Sequence, residues 1–173
     1  MGGHSGPAVI SKRLLFVCTG NTCRSPMAEH LCRKWLGEKS DWQVASAGVA
    51  ACPGMPASRT AIELLARNGL DLSQHRSRCL TPEEVDRARL IVVMTGMHRD
   101  VVVQRYPAAL DRVQVLTSFG SGSGPIRDIE DPMGGAMSDY QRTYDDINAL
   151  LPDLVLYLHQ QFGAARREKR GKS

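Results

Sequence analysis

Four bulky apolar residues in succession, Leu14-Leu15-Phe16-Val17, open the patterned part of the chain. A run without a polar position has no solvent face, so it reads as a buried strand. The period then becomes helical. Over residues 25–36, Met27, Leu31 and Trp35 recur on one face, Ser25 stands as the N-cap with Pro26 at the first helical position, and Gly37 closes the helix. Residues 42–47 form a second strand, and 48–56 a glycine- and proline-bearing loop. A helix over 57–68 turns Ile62, Leu64 and Leu65 inward and ends at Gly69. Thr81 and Glu84 have capping-box spacing at the start of a short helix, with Pro82 in its first position. Residues 90–94 repeat the all-apolar pattern, a helix follows over 97–105, and 113–116 is a fourth strand. After a long polar loop over 118–137, Ser138 caps a last helix. In it Tyr140, Tyr144, Ile147, Leu151, Leu154 and Leu158 keep helical spacing, and Pro152 is expected to kink or divide it.

Strands alternating with helices predict a doubly wound α/β fold, with a parallel sheet covered on both faces. Ligands bind such sheets outside the carboxyl ends of the strands. The length of 173 residues, 42% of them hydrophobic, suits one domain. Residues 13–162 carry the pattern. Residues 1–12, with Gly2, Gly3, Gly6 and Pro7, read as a flexible extension. The formal charge of +4 is confined to 163–173, where Arg166, Arg167, Lys169, Arg170 and Lys172 face Glu168 alone, so the remainder is neutral. A basic end of this kind reads as a solvated, disordered tail, and no nucleic-acid partner is expected. No apolar stretch reaches membrane-span length and residues 1–12 lack a signal-peptide centre, so no membrane association is expected. Five cysteines, an odd number, point to free thiols, a reducing compartment and the cytoplasm. The expected state is a monomer.

The chemistry sits just after the first strand, in Cys18-Thr19-Gly20-Asn21-Thr22-Cys23-Arg24-Ser25. Strand, loop and helix N-terminus together aim backbone N–H groups and the helix dipole at one point. Gly20 and Asn21 supply residues that tolerate positive φ. Such a cradle fits the oxygens of a phosphoryl group, two of which Arg24 can bind in bidentate fashion. The same donors favour thiolate over thiol at Cys18, which is therefore expected to ionise near neutral pH. Nucleophile and electrophile share one site, which implies phosphoryl transfer to cysteine. The competing reading makes Cys18 and Cys23 small core residues and Arg24 a surface charge. The strand before and the cap after the loop argue against it.

With these motifs, residues 13–162 resemble the low-molecular-weight protein tyrosine phosphatases and their arginine-phosphatase and arsenate-reductase relatives. The resemblance implies a four-stranded parallel sheet in the order 2-1-3-4. It implies Cys18 as nucleophile, Arg24 as phosphate ligand and Asp131, in Asp131-Pro132, as general acid and then base. Thr19, Gly20, Asn21, Thr22, Cys23 and Ser25 would line the phosphate cradle. Ser46 would bond the loop asparagine, His75 would join the same network, Asn21 would be left-handed, and Ser25 would donate to the sulfur. No cofactor or metal is implied, and the substrates are phosphorylated proteins. Asp128 and Glu130 either raise the pKa of Asp131 by like-charge repulsion or are solvated loop acids. Cys23 is either a resolving thiol for an oxidised Cys18 or a packed small side chain. Cys32, Cys52 and Cys79 are read as structural.

Specificity rests on few residues. Arsenate-reducing relatives need cysteines after the third strand, and Val93-Met94-Thr95-Gly96-Met97-His98 has none. Tyrosine phosphatases of the family usually carry Ile or Leu where Thr22 stands, and aromatic residues after Asp-Pro. Here Met133-Gly134-Gly135 follows. Both departures resemble the bacterial protein-arginine phosphatases, so phosphoarginine is the expected substrate and phosphotyrosine the alternative. A non-catalytic phosphate-binding module would gain nothing from the thiol or the Asp-Pro acid.

Overall fold

The computed structural model describes residues 12–121 and 125–163. The expectations for 1–11, for 164–173 and for residues 122–124 of the long polar loop lie outside the described residues. Among the described residues, four parallel strands form one sheet in the order β2-β1-β3-β4: β1 (Arg13–Cys18), β2 (Gln43–Gly48), β3 (Leu90–Val93) and β4 (Val113–Val115). Five α-helices alternate with them: α1 (Arg24–Leu36), α2 (Arg59–Arg67), α3 (Pro82–Arg87), α4 (Gly96–Arg105) and α5 (Met137–Phe162). None of the described helices is long and apolar enough to cross a membrane.

Alternation along the strands builds two cores. Leu14 and Phe16 of β1, with Leu90 and Val92 of β3, face α1, α2 and α5, where Met27, Leu31, Leu65, Ile147, Leu151, Leu154 and Leu158 are buried. Leu15, Val17, Ile91 and Val93 face the opposite way, onto Val85 of α3 and Val102 of α4. Each fully buried aliphatic side chain stabilises the fold by about 1.5–3 kcal/mol. β1 is central and apolar on both faces, so its carboxyl end is rigidly placed.

Several local expectations change. Ser25 is not the N-cap of α1: Cys23 is, without a side-chain cap, because the Ser25 hydroxyl is engaged at the Cys18 sulfur inside the first turn. Trp35 is 47% exposed, its indole N–H donating to Asn148 on α5. Thr81 caps α3 by accepting from the Glu84 N–H, but the Glu84 carboxylate pairs with Arg13 rather than completing a capping box. The cap of α5 is Ala136 rather than Ser138, with the Asp139 carboxylate reaching back to the Ala136 N–H at 2.7 Å. A Cβ on Gly135 would lie 2.4 Å from that carboxylate oxygen, so a side chain here would have to displace the Asp139 cap. Helix α5 runs undivided through Pro152, although a proline in a helix interior costs about 3 kcal/mol, because apolar burial on both sides of it offsets the missing bond.

Candidate active site

Cys18 ends β1, opposite Gly48 of β2, and the loop to α1 folds over it. The loop is shaped from outside, through its carbonyls. Those of Cys18 and Thr19 accept from the N–H groups of Val49 and Ala50, and that of Thr22 accepts from Ser58. The Asn21 carbonyl accepts from His75 Nε2 at 2.7 Å. With the carbonyls turned outward, the N–H groups of Asn21 and Ser25 face the Cys18 sulfur. Gly48 permits the close approach, since a Cβ there would stand 2.4 Å from the Thr19 carbonyl oxygen. Asn21 has φ 55°, the one positive φ outside glycine among the described residues, whereas Gly20 does not need one.

Asn21 is held at both ends of its amide. Its Oδ1 accepts from the Arg78 N–H at 2.9 Å, and its Nδ2 donates to the hydroxyls of Ser25 and Ser46, each at 2.9 Å. Ser46 in turn donates to Glu29, a buried carboxylate of α1 that also pairs with Arg33. Burial pushes the His75 imidazole down from its ordinary pKa, so a neutral ring donates through Nε2. A residue in a strained αL conformation persists only where its surroundings over-determine it, and the bonds to Ser25, Ser46, His75 and Arg78 do so here.

Ser25 Oγ lies 2.9 Å from Cys18 Sγ and 3.4 Å from the Ala47 carbonyl. Its one proton can therefore serve a thiolate, or turn to Ala47 when the sulfur carries its own. Burial pushes the Cys18 thiol up from its ordinary value. The Ser25 hydroxyl and N–H, the Arg24 guanidinium and the Asn21 N–H pull it down without cancelling that effect. The expectation of ionisation near neutral pH is thus corrected. Every donor it invoked is in place, but the sulfur is only 3% exposed and its anion forfeits hydration.

Arg24 reaches across to the loop that precedes α5. Its Nη1 donates to the Ile129 carbonyl at 3.0 Å and its Nη2 to Asp131 Oδ2 at 2.9 Å. Asp131 Oδ1 accepts from the Met133 N–H at 3.1 Å, an Asx turn that fixes the carboxylate from its other side. Asp131 thus stands at the mouth of the loop that holds Cys18. Asp128 points elsewhere, accepting from the Gly96 N–H at the start of α4. Cys23 is buried against the Tyr140 hydroxyl at 3.4 Å, where burial first, and then the Cys23 hydrogen bond, hold the phenol up to about 12. Thr22 is half-buried at the rim.

This loop and its supports have counterparts among known proteins. Residues 13–166 match the family model described as low molecular weight phosphotyrosine protein phosphatase. The chain belongs to this family. Relatives include a protein-arginine-phosphatase of Geobacillus stearothermophilus, 41% identical over 83% of this chain and 93% of that protein. A low molecular weight protein-tyrosine-phosphatase, PtpB of Staphylococcus epidermidis, is 31% identical over 86% of this chain and 99% of its own length. Among solved structures, a cysteine-to-serine mutant of the YwlE arginine phosphatase with a phosphorylated active-site serine superposes with a TM-score of 0.81. It is 36% identical and covers 87% of this chain and 98% of that one.

The loop residues from Cys18 to Ser25, with Ser46, His75 and Asp131, form one connected group at the carboxyl end of β1. Sequence reasoning passed over Glu29, Tyr140, Gly48, Arg78 and the pair Thr95–His98. Two of these left a trace. Glu29 is a carboxylate on the buried face of a helix, and Thr95 stands three residues before His98 at N-cap spacing.

Proposed function

We propose that this chain is a cysteine-dependent protein phosphatase acting on phosphoarginine, with residues 13–162 as its single catalytic domain. The observation that carries the reading is the assembly of Cys18, Ser25, Arg24 and Asp131 around one loop, with Ser25 bonded to the sulfur and Arg24 to the carboxylate. In the first step the ionised form of Cys18, whose proton has been released to solvent and which the Ser25 hydroxyl and N–H, Arg24 and the Asn21 N–H stabilise, forms an S–P bond as the P–N bond breaks. Asp131, entering as the acid, gives its proton to the departing guanidine nitrogen. That proton matters, because a guanidine expelled without it departs as a strong base and is a poor leaving group. In the second step water attacks phosphorus and gives a proton to the Asp131 carboxylate. The S–P bond then breaks to return the thiolate and inorganic phosphate. The loop N–H groups and Arg24 hold the equatorial oxygens throughout.

Three features support phosphoarginine: Thr22 at the rim, glycines rather than aromatic rings after Asp131-Pro132, and relatives named protein-arginine-phosphatase. An aromatic clasp is worth about 1 kcal/mol to a phenol ring, and this loop supplies none. Phosphotyrosine remains the second reading, favoured by the exposed Met133 beside Asp131 and by tyrosine-phosphatase relatives. Oxidation of Cys18 would act on its thiolate form, with Cys23 either the thiol that would resolve it or a small side chain packed against Tyr140, in a cytoplasmic setting.

The deciding experiment compares kcat/KM on phosphoarginine and phosphotyrosine peptides for the wild type and for Thr22→Ile. The wild type should prefer phosphoarginine, and the substitution should move the ratio about 10- to 100-fold toward phosphotyrosine. A wild type that prefers phosphotyrosine, with a ratio the substitution leaves unmoved, would make this a tyrosine phosphatase.

A further inference from the structure

Beyond the carboxyl end of β3, beside the loop that holds Cys18, lies a short polar chain that the reaction scheme leaves unused. His98 is buried, with 0% of its surface exposed, in the first turn of α4. Its Nδ1 lies 2.9 Å from the Thr95 hydroxyl, and its Nε2 lies 2.8 Å from the hydroxyl of Thr19, the loop residue next to Cys18. Arg24, Asp128 and Asp131 are the charged groups whose fields reach the ring.

Counting protons gives this chain a direction. Burial, with Arg24 adding to it, brings the His98 pKa down to about 4, so at neutral pH the ring is uncharged and carries one N–H. The Thr95 oxygen already accepts the His98 backbone N–H at 3.1 Å as the N-cap of α4. Among the described residues, His98 Nδ1 is the acceptor that the Thr95 proton meets. If Nδ1 held the ring proton instead, the Thr95 oxygen would take two donors and its own proton would be buried without a partner, at a cost of about 1–3 kcal/mol. The ring proton therefore sits on Nε2 and is donated to Thr19 Oγ1. The Thr19 oxygen is thereby used as an acceptor towards the protein, and its O–H is left to donate to an acceptor other than His98.

We propose that Thr95 and His98 are positioning residues that make the Thr19 hydroxyl a hydrogen-bond donor to the phosphoryl group. The inference rests on the phosphatase reading of the loop and deepens it. It adds a side-chain donor to the backbone N–H groups of the cradle. A cationic His98 would also donate through Nε2, but would force a second donor onto Thr95. The low pKa and the N-cap geometry thus act together.

The test measures binding of inorganic phosphate by calorimetry, alongside kcat/KM for p-nitrophenyl phosphate. A hydrogen bond to a charged acceptor is worth about 10- to 100-fold in affinity, so Thr19→Val should weaken phosphate by that factor. Thr19→Ser, which keeps the hydroxyl, should bind like the wild type. His98→Leu should weaken phosphate as Thr19→Val does, His98→Gln should recover part of the loss through its amide N–H, and the double variant should be no worse than Thr19→Val alone. If Thr19→Val binds phosphate as tightly as the wild type, or if the two losses add in full, the proposal is overturned. Should His98→Leu fail to fold, the Thr19→Val and Thr19→Ser pair decides by itself. Wild-type turnover is a separate readout: its absence would remove the enzymatic reading, while phosphate affinity would still report on the Thr19 donor.

Discussion

Replacing Asp131 by asparagine isolates proton transfer from architecture. Asp131→Asn opens no cavity. The amide keeps one oxygen, either for the Met133 N–H that lies 3.1 Å from Oδ1 or for the Arg24 guanidinium 2.9 Å from Oδ2, but it carries no charge. The Asp131 side chain is 45% exposed, so the lost ion pair with Arg24 is screened and should change stability by about 1 kcal/mol or less. Catalysis should change far more, since general acid assistance is worth roughly 10²–10⁴-fold. The leaving group decides how much of that is felt. Guanidine nitrogen and tyrosine phenolate need a proton, whereas nitrophenolate departs almost unaided. The quantity to measure is kcat/KM, which covers steps only through the first P–N or P–O cleavage and so excludes the later hydrolysis in which Asp131 is proposed as base. We expect a fall of about 10²–10⁴ for a phosphoarginine peptide and about tenfold or less for p-nitrophenyl phosphate. Equal losses on both substrates, with an unchanged melting temperature, would refute the acid role, and Glu130 and Asp128 would then have to be tested.

Three further outcomes are expected. Cys18→Ser should keep phosphate affinity within a few-fold, because the N–H cradle is unchanged, yet lose turnover, and mass spectrometry after incubation with substrate should find any trapped phosphate on the substituted hydroxyl. A variant retaining a tenth of wild-type kcat would remove Cys18 from the nucleophile role. Ser25→Ala deletes a donor that lowers the Cys18 pKa, so the thiol should ionise at still higher pH and the iodoacetamide alkylation profile should shift to the alkaline side of the wild-type curve; a shift to the acid side, or none, would contradict the hydrogen bond at 2.9 Å. Gly48→Ala places a methyl group 2.4 Å from the Thr19 carbonyl oxygen, which should lower stability by about 1–3 kcal/mol in urea unfolding and reduce kcat/KM together with it, while a fully active and equally stable variant would show that the loop does not depend on this approach.

The chain itself determined the frame. Leu14 to Val17 and Leu90 to Val93 are apolar throughout, and only burial on both faces accommodates such runs, so two central strands of a parallel sheet followed from the pattern, while their place side by side came from the family resemblance. The candidate active-site loop was equally legible. Cys18, Asn21, Arg24 and Ser25 lie within eight consecutive residues, and local backbone geometry largely dictates where a strand-to-helix turn points its N–H groups. Folding had to supply whatever depends on residues distant in sequence. Asp131 meets Arg24 across 107 positions, and Tyr140 meets Cys23 across 117, because α1 packs against α5. His98 approaches Thr19 across 79 positions because β3 lies beside β1. The ionisation of Cys18 belongs with these. Its donors are local and visible in the sequence, but its burial is the sum of everything packed around the end of β1. Desolvation of an anion is a property of that whole enclosure, which no single short stretch of chain encodes.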